Sequence, residues 1–259
     1  MTSQERMSWY IKGKACLPTR RESQICKSNT TQKMNISVII PAYKAQRHIE
    51  KCLDSIVAQT YFKNNDYEII LGIDGCEETL KKVKNIRYKY PRLRVLWCKE
   101  NKGCYVMTNT LIQQVKYDYI QKFDADDWMK KDMVKKVAGY MNRFDIAMCL
   151  CERHDGKQTT RTGLHINSIL IKKEVYDKLG GYCPWICAAD GEFMDRAIRS
   201  FKVAKVKEPL FYYYKHSTSL TGKMGKKSSK RKAYHDIKKQ MNKDKVVYVK
   251  PITNKFEEL

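Results

Sequence analysis

The chain has 259 residues, with 51 lysines and arginines against 28 aspartates and glutamates, for a formal net charge of +23. Hydrophobic residues make up 42% and aromatics 11%, which excludes a wholly disordered chain and suggests one or two domains with a sizeable core. No run approaches the ~20 apolar residues of a membrane span and no charged-then-apolar leader opens the chain, so a cytoplasmic protein, at most peripheral at a membrane, is expected.

Residues 1–34 are rich in Ser, Thr, Gln and Arg, carry seven basic and two acidic side chains (net +5) and show no period. They read as a basic, loose N-terminal extension. Ile36–Ile40 is an apolar, β-branched run ended by Pro41, the pattern of a strand buried on both faces. Ile49, Leu53, Ile56 and Val57 share one helical stripe. Tyr67–Leu71 is the next strand and turns at Asp74-Gly75. Lys81–Tyr90 reads as a basic helix stopped by Pro91. Leu93–Cys98 is a third strand, and Met107, Leu111 and Val115 mark a further helix. Tyr117–Phe123 is a fourth strand and runs into Asp124-Ala125-Asp126-Asp127. This alternation predicts an α/β fold, a Rossmann-like, mostly parallel sheet with helices on both faces. Ligands of such sheets sit beyond the carboxyl ends of the strands, where Pro41-Ala42-Tyr43, Asp74-Gly75 and Asp124–Asp127 all fall.

The second half is less regular. Asp145–Cys151 reads as a strand, 152–165 as a polar hairpin or loop, Ser168–Ile171 as a strand, and Lys173–Leu179 as a short helix broken at Gly180-Gly181. A helix follows over Asp190–Ser200, with Phe193, Ala197 and Ile198 inward, then strands over Phe201–Val206 and Leu210–Lys215. Residues 223–259 form a Lys-rich tail with twelve basic and four acidic side chains (net +8) and a helix from Lys230 to about Met241. The domain between, 35–222, divides into a half to 127 and a half from 128. Basic ends suit solvated or phosphate-rich surroundings. No zinc-finger spacing, helix-turn-helix cue or RNA-recognition motif is visible, and no specific nucleic-acid partner is expected.

Ten cysteines in a chain of this length, without a leader, read as reduced thiols in a reducing compartment. Cys149, Cys151, Cys183 and Cys187 with His154 or His165 lack the usual CxxC spacing of a zinc site.

Asp124, Asp126 and Asp127 fall within four residues. Carboxylates packed this closely repel unless a cation neutralises them. Oxygen ligands at a strand end suit Mg2+ or Mn2+ held together with a phosphate group. Capping of a helix near Met129 is the alternative, and it needs only one of the three. There is no GxGxxG after the first strand, no GxxxxGK[ST] and no GxSxG, which disfavours dinucleotide enzymes, P-loop enzymes and the α/β-hydrolase chemistry.

In this order the motifs resemble family 2 of the glycosyltransferases, inverting enzymes of the GT-A fold. SVIIPAYKAQRHIEKCLDSIVAQTY (37–61) resembles the family's opening strand, nucleotide loop and first helix. EIILGIDGC (68–76) resembles the strand ending in the DDGS-like turn, and NKGCYVMTN (101–109) the NxGxxxARN helix start. FDADDWM (123–129) resembles the DxDD motif, AADGEFMDRA (188–197) the ED-containing helix, and YYYKHSTSLT (212–221) the late Y-R-x-H-like strand. Three positions depart from the pattern: Ile73 for the first Asp of DDGS, Thr108 for the Arg of ARN, and Ala189 for the Glu of ED. The QxxRW motif of processive synthases is absent, which argues for transfer of a single sugar.

The resemblance implies a single catalytic domain with basic extensions, a nucleotide-sugar donor (a uridine diphosphate sugar first) and a saccharide, lipid-linked or protein acceptor. Pro41, Ala42 and Tyr43 would line the base pocket and Asp74 would bond the base, with Asn101 and Gly103 as further nucleotide contacts. Asp126 and Asp127 are the metal or diphosphate positions, Asp124 points toward ribose or metal, and His216 is a further metal or diphosphate contact. Asp190 would be the general base, with helix N-capping as its other reading. Arg196 sits at the family's Arg spacing. Trp185 would stack on an acceptor sugar or pack in the core. Lys215 and the lysines of 223–232 would screen phosphates. A non-catalytic basic binding module on the same fold is the competing reading. Its motivation is the departures at Thr108 and Ala189. The charge further suggests contact with an anionic membrane surface.

Overall fold

The computed structural model describes residues 33–155, 158–216 and 229–259. Of the loose extension expected over 1–34, residues 1–32 lie outside the described residues, as do the lysines of 223–228. Met34 already belongs to the core, its backbone N–H and C=O both meeting the Tyr61 hydroxyl at 3.3 and 3.2 Å.

β1 (Ile36–Ala42) is buried along its whole length. It pairs in parallel with β2 (Tyr67–Asp74) on one side and β4 (Tyr119–Lys122) on the other, and β2 pairs in parallel with β3 (Leu93–Cys98). Alternate residues feed two apolar layers, as a strand period of two requires. Val38, Ile40, Ile69, Leu71, Val95 and Trp97 face one layer, under α1 (Ile49–Val57), α2 (Glu77–Ile86) and α4 (Met133–Ala138). Ile39, Ile70, Leu96 and Cys98 face the other, under α3 (Cys104–Ile112), α5 (Lys173–Leu179) and α6 (Ala189–Ser200). The apolar run read from 36–40 is thus a strand covered on both sides, and the sheet is the expected parallel one at its centre.

The remaining strands are β5 (Trp128–Met129), β6 (Ile146–His154), β7 (Thr159–Lys172), β8 (Val203–Tyr214) and β9 (Glu257–Glu258), in the sheet order β5-β8-β6-β7-β4-β1-β2-β3-β9. The polar stretch 152–165 belongs to a hairpin, and β7 starts at Thr159 rather than Ser168. The two strands expected over 201–215 are one, with Pro209 set beside Leu150 at a register shift. A bulge is where a strand tolerates a residue that cannot donate to the ladder. No helix starts near Met129. Trp128-Met129 is a short strand and α4 begins at Met133, so neither Asp126 nor Asp127 is a helix cap.

The tail set apart at 223–259 is, from 229, packed on the domain. α7 (Ser229–Lys243) lies against α6, with Lys238 and Asn242 meeting Asp195 at 3.0 and 2.8 Å. The chain then crosses α3, where the Asn254 amide N–H donates to Thr110 Oγ1 at 2.8 Å and the Asn254 side chain to the Glu100 carbonyl at 2.9 Å. It ends as β9, antiparallel to β3 and tied by Arg94 to Glu258 at 2.8 Å. Among the described residues no helix is long and apolar enough to cross a membrane, and the eight cysteines are free thiols.

Gly180 is the hinge against which this last segment docks. Its φ is +72°, and an added Cβ would overlap the Val249 carbonyl oxygen. Gly180→Ala is therefore expected to cost roughly 2–4 kcal/mol of unfolding free energy, a left-handed conformation and a backbone clash together. The measurement is a lowered urea midpoint at unchanged slope.

Candidate active site

Because β1, β2 and β4 run in parallel, their carboxyl ends open on one edge of the sheet. At the end of β1, Pro41 and Ala42 are buried and Tyr43 is 48% exposed. Lys44 follows at φ +54°, a conformation rare for a side-chain-bearing residue and concentrated at functional sites. The loop is pinned to α2 by Ala45 N–H donating to Thr79 Oγ1 at 2.9 Å.

At the end of β2, Asp74 is buried and its carboxylate is occupied. Oδ1 accepts the Lys102 N–H at 3.0 Å, Oδ2 accepts the Gly103 N–H at 2.8 Å, and Asn101 Nδ2 donates back to the Asp74 carbonyl at 2.9 Å. Burial raises its pKa above the ordinary carboxylate value, and the two amides oppose that shift. Asp74, Asn101 and Gly103 thus come together, but as a cross-linked turn. The carboxylate read as a base contact is engaged in shaping the loop that precedes α3.

β4 ends at Lys122, whose ammonium is buried beside Asp124 Oδ1 at 2.7 Å. Loss of hydration works against the charge, yet Asp124 and neighbouring acids outweigh it and raise the lysine above its usual value. Asp126 Oδ2 lies 2.8 Å from His216 Nε2. Asp127 departs from expectation. It is only 1% exposed, its Oδ1 accepts the Tyr214 N–H at 2.9 Å, and burial, then Asp126 and Asp124, push its pKa well up. Its Oδ1 fastens β8 to the acidic loop, and its Oδ2 is buried with no hydrogen-bond partner among the described residues. Around the Asp126–His216 pair stand His48 and Tyr214, with ring centroids 5.2 and 5.3 Å from His216. His48 is held below the usual histidine value by loss of hydration and then by His216. Beside them Trp128 stacks on Tyr212 at 5.4 Å, and Lys51 Nζ sits 3.2 Å from its ring centroid.

Asp190 is in the first turn of α6. The N-cap is Ala188, at φ +68° and without a side-chain cap bond, so Asp190 is not the cap. Its carboxylate accepts the Tyr105 hydroxyl at 3.1 Å. An acid in a first turn is favoured by the helix dipole. Arg196 points away from the cleft. It is buried, paired with Glu192 at 2.5 Å, and donates to the Leu179 and Gly181 carbonyls at 2.6 and 2.8 Å. Its task is to hold the loop leading to Asp190. Trp185 stacks on Tyr234 of α7 at 5.2 Å, which covers one face of the ring. Lys215 is exposed, and its backbone N–H donates to the His154 carbonyl at 2.8 Å.

The segments converge around Cys104. Loss of hydration pushes its thiol up to about 12, Lys122 opposes this, and Asp124, Asp190 and Asp74 add to it. Three carboxylates distant in sequence are thus near enough for their charges to act at the start of α3. His48, Tyr105, Lys122 and Tyr214 belong to the site although no motif marks them. Lys122, the one lysine of β4 and two residues before the acids, carried a readable signal.

Asp126 offers the carboxylate oxygen that Mg2+ or Mn2+ takes. His216 Nε2 is hydrogen-bonded to that carboxylate at 2.8 Å and would add a nitrogen ligand only once this bond opens. No group of three or more His, Cys, Asp or Glu is arranged to hold a metal among the described residues. Such an ion would draw its other ligands from phosphate and water, as Mg2+ usually does.

Residues 37–196 match the sequence profile of Glycosyl transferase family 2. The chain is 32% identical over 118 residues to the glycosyltransferase GlyA of Streptococcus pneumoniae serotype 4, covering 44% of this chain and 16% of GlyA. It is 29% identical over 149 residues to the uncharacterized glycosyltransferase EpsJ of Bacillus subtilis, covering 56% and 42%. The chain thus spans less than half the length of these curated relatives. TarS 1–349 of S. aureus, solved with UDP-GlcNAc, aligns with a TM-score of 0.62 at 19% identity over 72% of this chain and 60% of its own. The mannosyltransferase PcManGT from Pyrobaculum calidifontis, solved with GDP-Man and Mn2+, aligns with a TM-score of 0.63 at 16% identity over 83% and 64%. At these identities the structural likeness speaks for the fold alone. With the match covering more than half of the chain and the carboxyl-edge site built on the same motifs, the chain belongs to glycosyltransferase family 2 and has the GT-A fold.

Proposed function

We propose that the chain transfers one sugar from a nucleoside-diphosphate donor to an acceptor hydroxyl, with inversion and with the aid of Mn2+ or Mg2+. The observation that carries this reading is the placement of Asp74, Asp124 and the Asp126–His216 pair beyond the carboxyl ends of the parallel strands β2 and β4, with Asp190 reaching the start of α3 through Tyr105. Pro41, Ala42 and Tyr43 line the base side of the cleft, and the turn cross-linked by Asp74 offers its backbone to the nucleotide. A uridine diphosphate sugar is the leading donor, supported by the complex of TarS with UDP-GlcNAc. GDP-mannose, bound by PcManGT, is the other. Asp126 and His216 would hold the cation, which when bound would supply positive charge for the departing diphosphate. Asp190 accepts the proton of the attacking hydroxyl, and a single base opposite the leaving group leads to inversion. The acceptor is a saccharide, a lipid-linked sugar or a protein.

The test is nucleotide release from UDP-GlcNAc, other UDP-sugars and GDP-mannose, with and without Mn2+. Asp190→Asn is expected to lower turnover 10²–10⁴-fold, the usual range for loss of a general base, with nucleotide affinity unchanged. Wild-type turnover in that variant overturns the assignment. Asp126→Ala and His216→Ala are each expected to abolish the Mn2+-dependent gain in UDP or GDP affinity, measured by calorimetry against an EDTA control. If no nucleotide binds and polyanions bind with steep salt dependence, the non-catalytic module departing at Thr108 and Ala189 is favoured.

A peripheral contact with an anionic membrane belongs to the same proposal. Ile237, Val247, Tyr248 and Ile252 are exposed in the C-terminal segment, interspersed with Lys232, Lys239, Lys243 and Lys250. Apolar and basic residues together suit an acidic lipid surface. Co-sedimentation with phosphatidylserine vesicles, falling as salt rises and absent with phosphatidylcholine alone, is the expected outcome.

A further inference from the structure

We propose that Tyr105 is a positioning residue for Asp190, holding one carboxylate oxygen so that the other is left for the acceptor hydroxyl. The inference rests on the reading of Asp190 as the base. No motif marks Tyr105: in NKGCYVMTN it occupies one of the unspecified places between Gly103 and Asn109. It lies in the first turn of α3, 5% exposed, with its ring stacked on Tyr182 at a centroid distance of 5.7 Å. Tyr182 packs in turn on Phe193 of α6 at 4.6 Å. The phenol is therefore stacked on a ring that is itself supported from α6, and its hydroxyl has a defined direction. It donates to Asp190 Oδ1 at 3.1 Å.

Capping does not orient this carboxylate, since the N-cap is Ala188 with no side-chain bond. Tyr105 on α3 contacts Asp190, and the other titratable groups near enough to feel its charge are Cys104 on α3, Lys122 at the end of β4, and Tyr182 and Cys187 on the loop before α6. Lys122 is paired with Asp124 at 2.7 Å. Tyr182 shares its hydroxyl with Tyr176 at 3.1 Å. Burial first, and then the charge of Asp190, push the Tyr105 phenol well above its ordinary range. It stays protonated at working pH and acts as a donor. In the transfer step the acceptor oxygen forms the new bond to the anomeric carbon. Its proton passes to Asp190, and the diphosphate leaves with the bonding pair. Tyr105 transfers nothing. A donor to the ionised carboxylate stabilises that form over the acid, so its loss makes Asp190 easier to protonate.

The test uses the full chain, and one arm is independent of any substrate. Carboxyl ¹³C NMR titration of the ligand-free protein, with the Asp190 signal assigned by Asp190→Asn, compares wild type with Tyr105→Phe. The Phe variant keeps the ring packing and removes only the donor. Its Asp190 midpoint is expected to lie above that of the wild type, since a donor to the ionised form has been removed, with UDP and GDP affinity unchanged. An unchanged midpoint overturns the proposal. With a sugar nucleotide that the wild type turns over, the acid limb of the rate profile should move up by the same amount and turnover should fall about tenfold. A raised midpoint in Tyr105→Phe together with full turnover in Asp190→Asn also overturns it, and locates the failure in the base assignment rather than in the contact. Should Tyr105→Phe unfold, Tyr182→Phe serves as the packing control. It leaves the Tyr105 hydroxyl in place, and a midpoint that rises there equally overturns the proposal.

Discussion

Parallel pairing of β1 to both β2 and β4 is the constraint from which the rest of the molecule follows. A strand buried on both faces and bonded on both edges has no freedom to slip, because a one-residue shift would reverse every side chain. Parallel neighbours must then end on the same side. Tyr43, Asp74 and Asp124 are far apart in sequence and leave the sheet along one edge. The long crossover connections that parallel strands require are α1, α2 and α3, and their N-termini return to that edge. His48 and Cys104 are there because they begin or precede those helices.

At that edge the chain solves an electrostatic problem. It gathers several carboxylates where like charges raise one another's energy, and each finds a different answer. Asp74 accepts two backbone amides. Asp124 has a buried lysine. Asp126 has a histidine, and Asp127 is buried against an amide with its pKa pushed up. Three neighbouring carboxylates therefore lean less on an external cation than their spacing suggests. Lys122 supplies one positive charge from within, burial favours the neutral form of Asp127, and Asp126 with His216 is left facing the cleft.

The C-terminal segment and the buried Arg196–Glu192 pair serve the same edge from behind. Breaking such a pair on one side typically costs about 3–5 kcal/mol, since a charge is left buried and uncompensated. This pair keeps the Leu179–Gly181 carbonyls in place. Asn109 accepts the Tyr182 N–H at 2.8 Å and donates to the Ile252 carbonyl at 3.2 Å. It thus ties the loop before Asp190 to the last stretch of chain. The motif residues Asn109 and Arg196 are therefore scaffold, one step removed from the cleft.

From the sequence alone, the strands of the first half, the parallel sheet and the edge carrying the site were legible. Period-two and unbroken apolar runs are local properties, and Pro41, Gly75 and the acidic run mark where those strands stop. The family resemblance was legible for the same reason, its motifs being short and ordered along the chain. Three things depended on tertiary structure. Pro209 sits inside one continuous strand because a bulge against β6 accommodates it, and no local pattern announces a bulge. Net charge marked 223–259 as a tail, while its docking rests on single contacts such as Gly180 against Val249, which composition does not encode. The division of labour among the acids was also invisible. Asp126 and Asp127 are adjacent and chemically identical, and only the position of the Tyr214 amide and the His216 ring, some ninety residues on, turns one inward and the other toward the cleft.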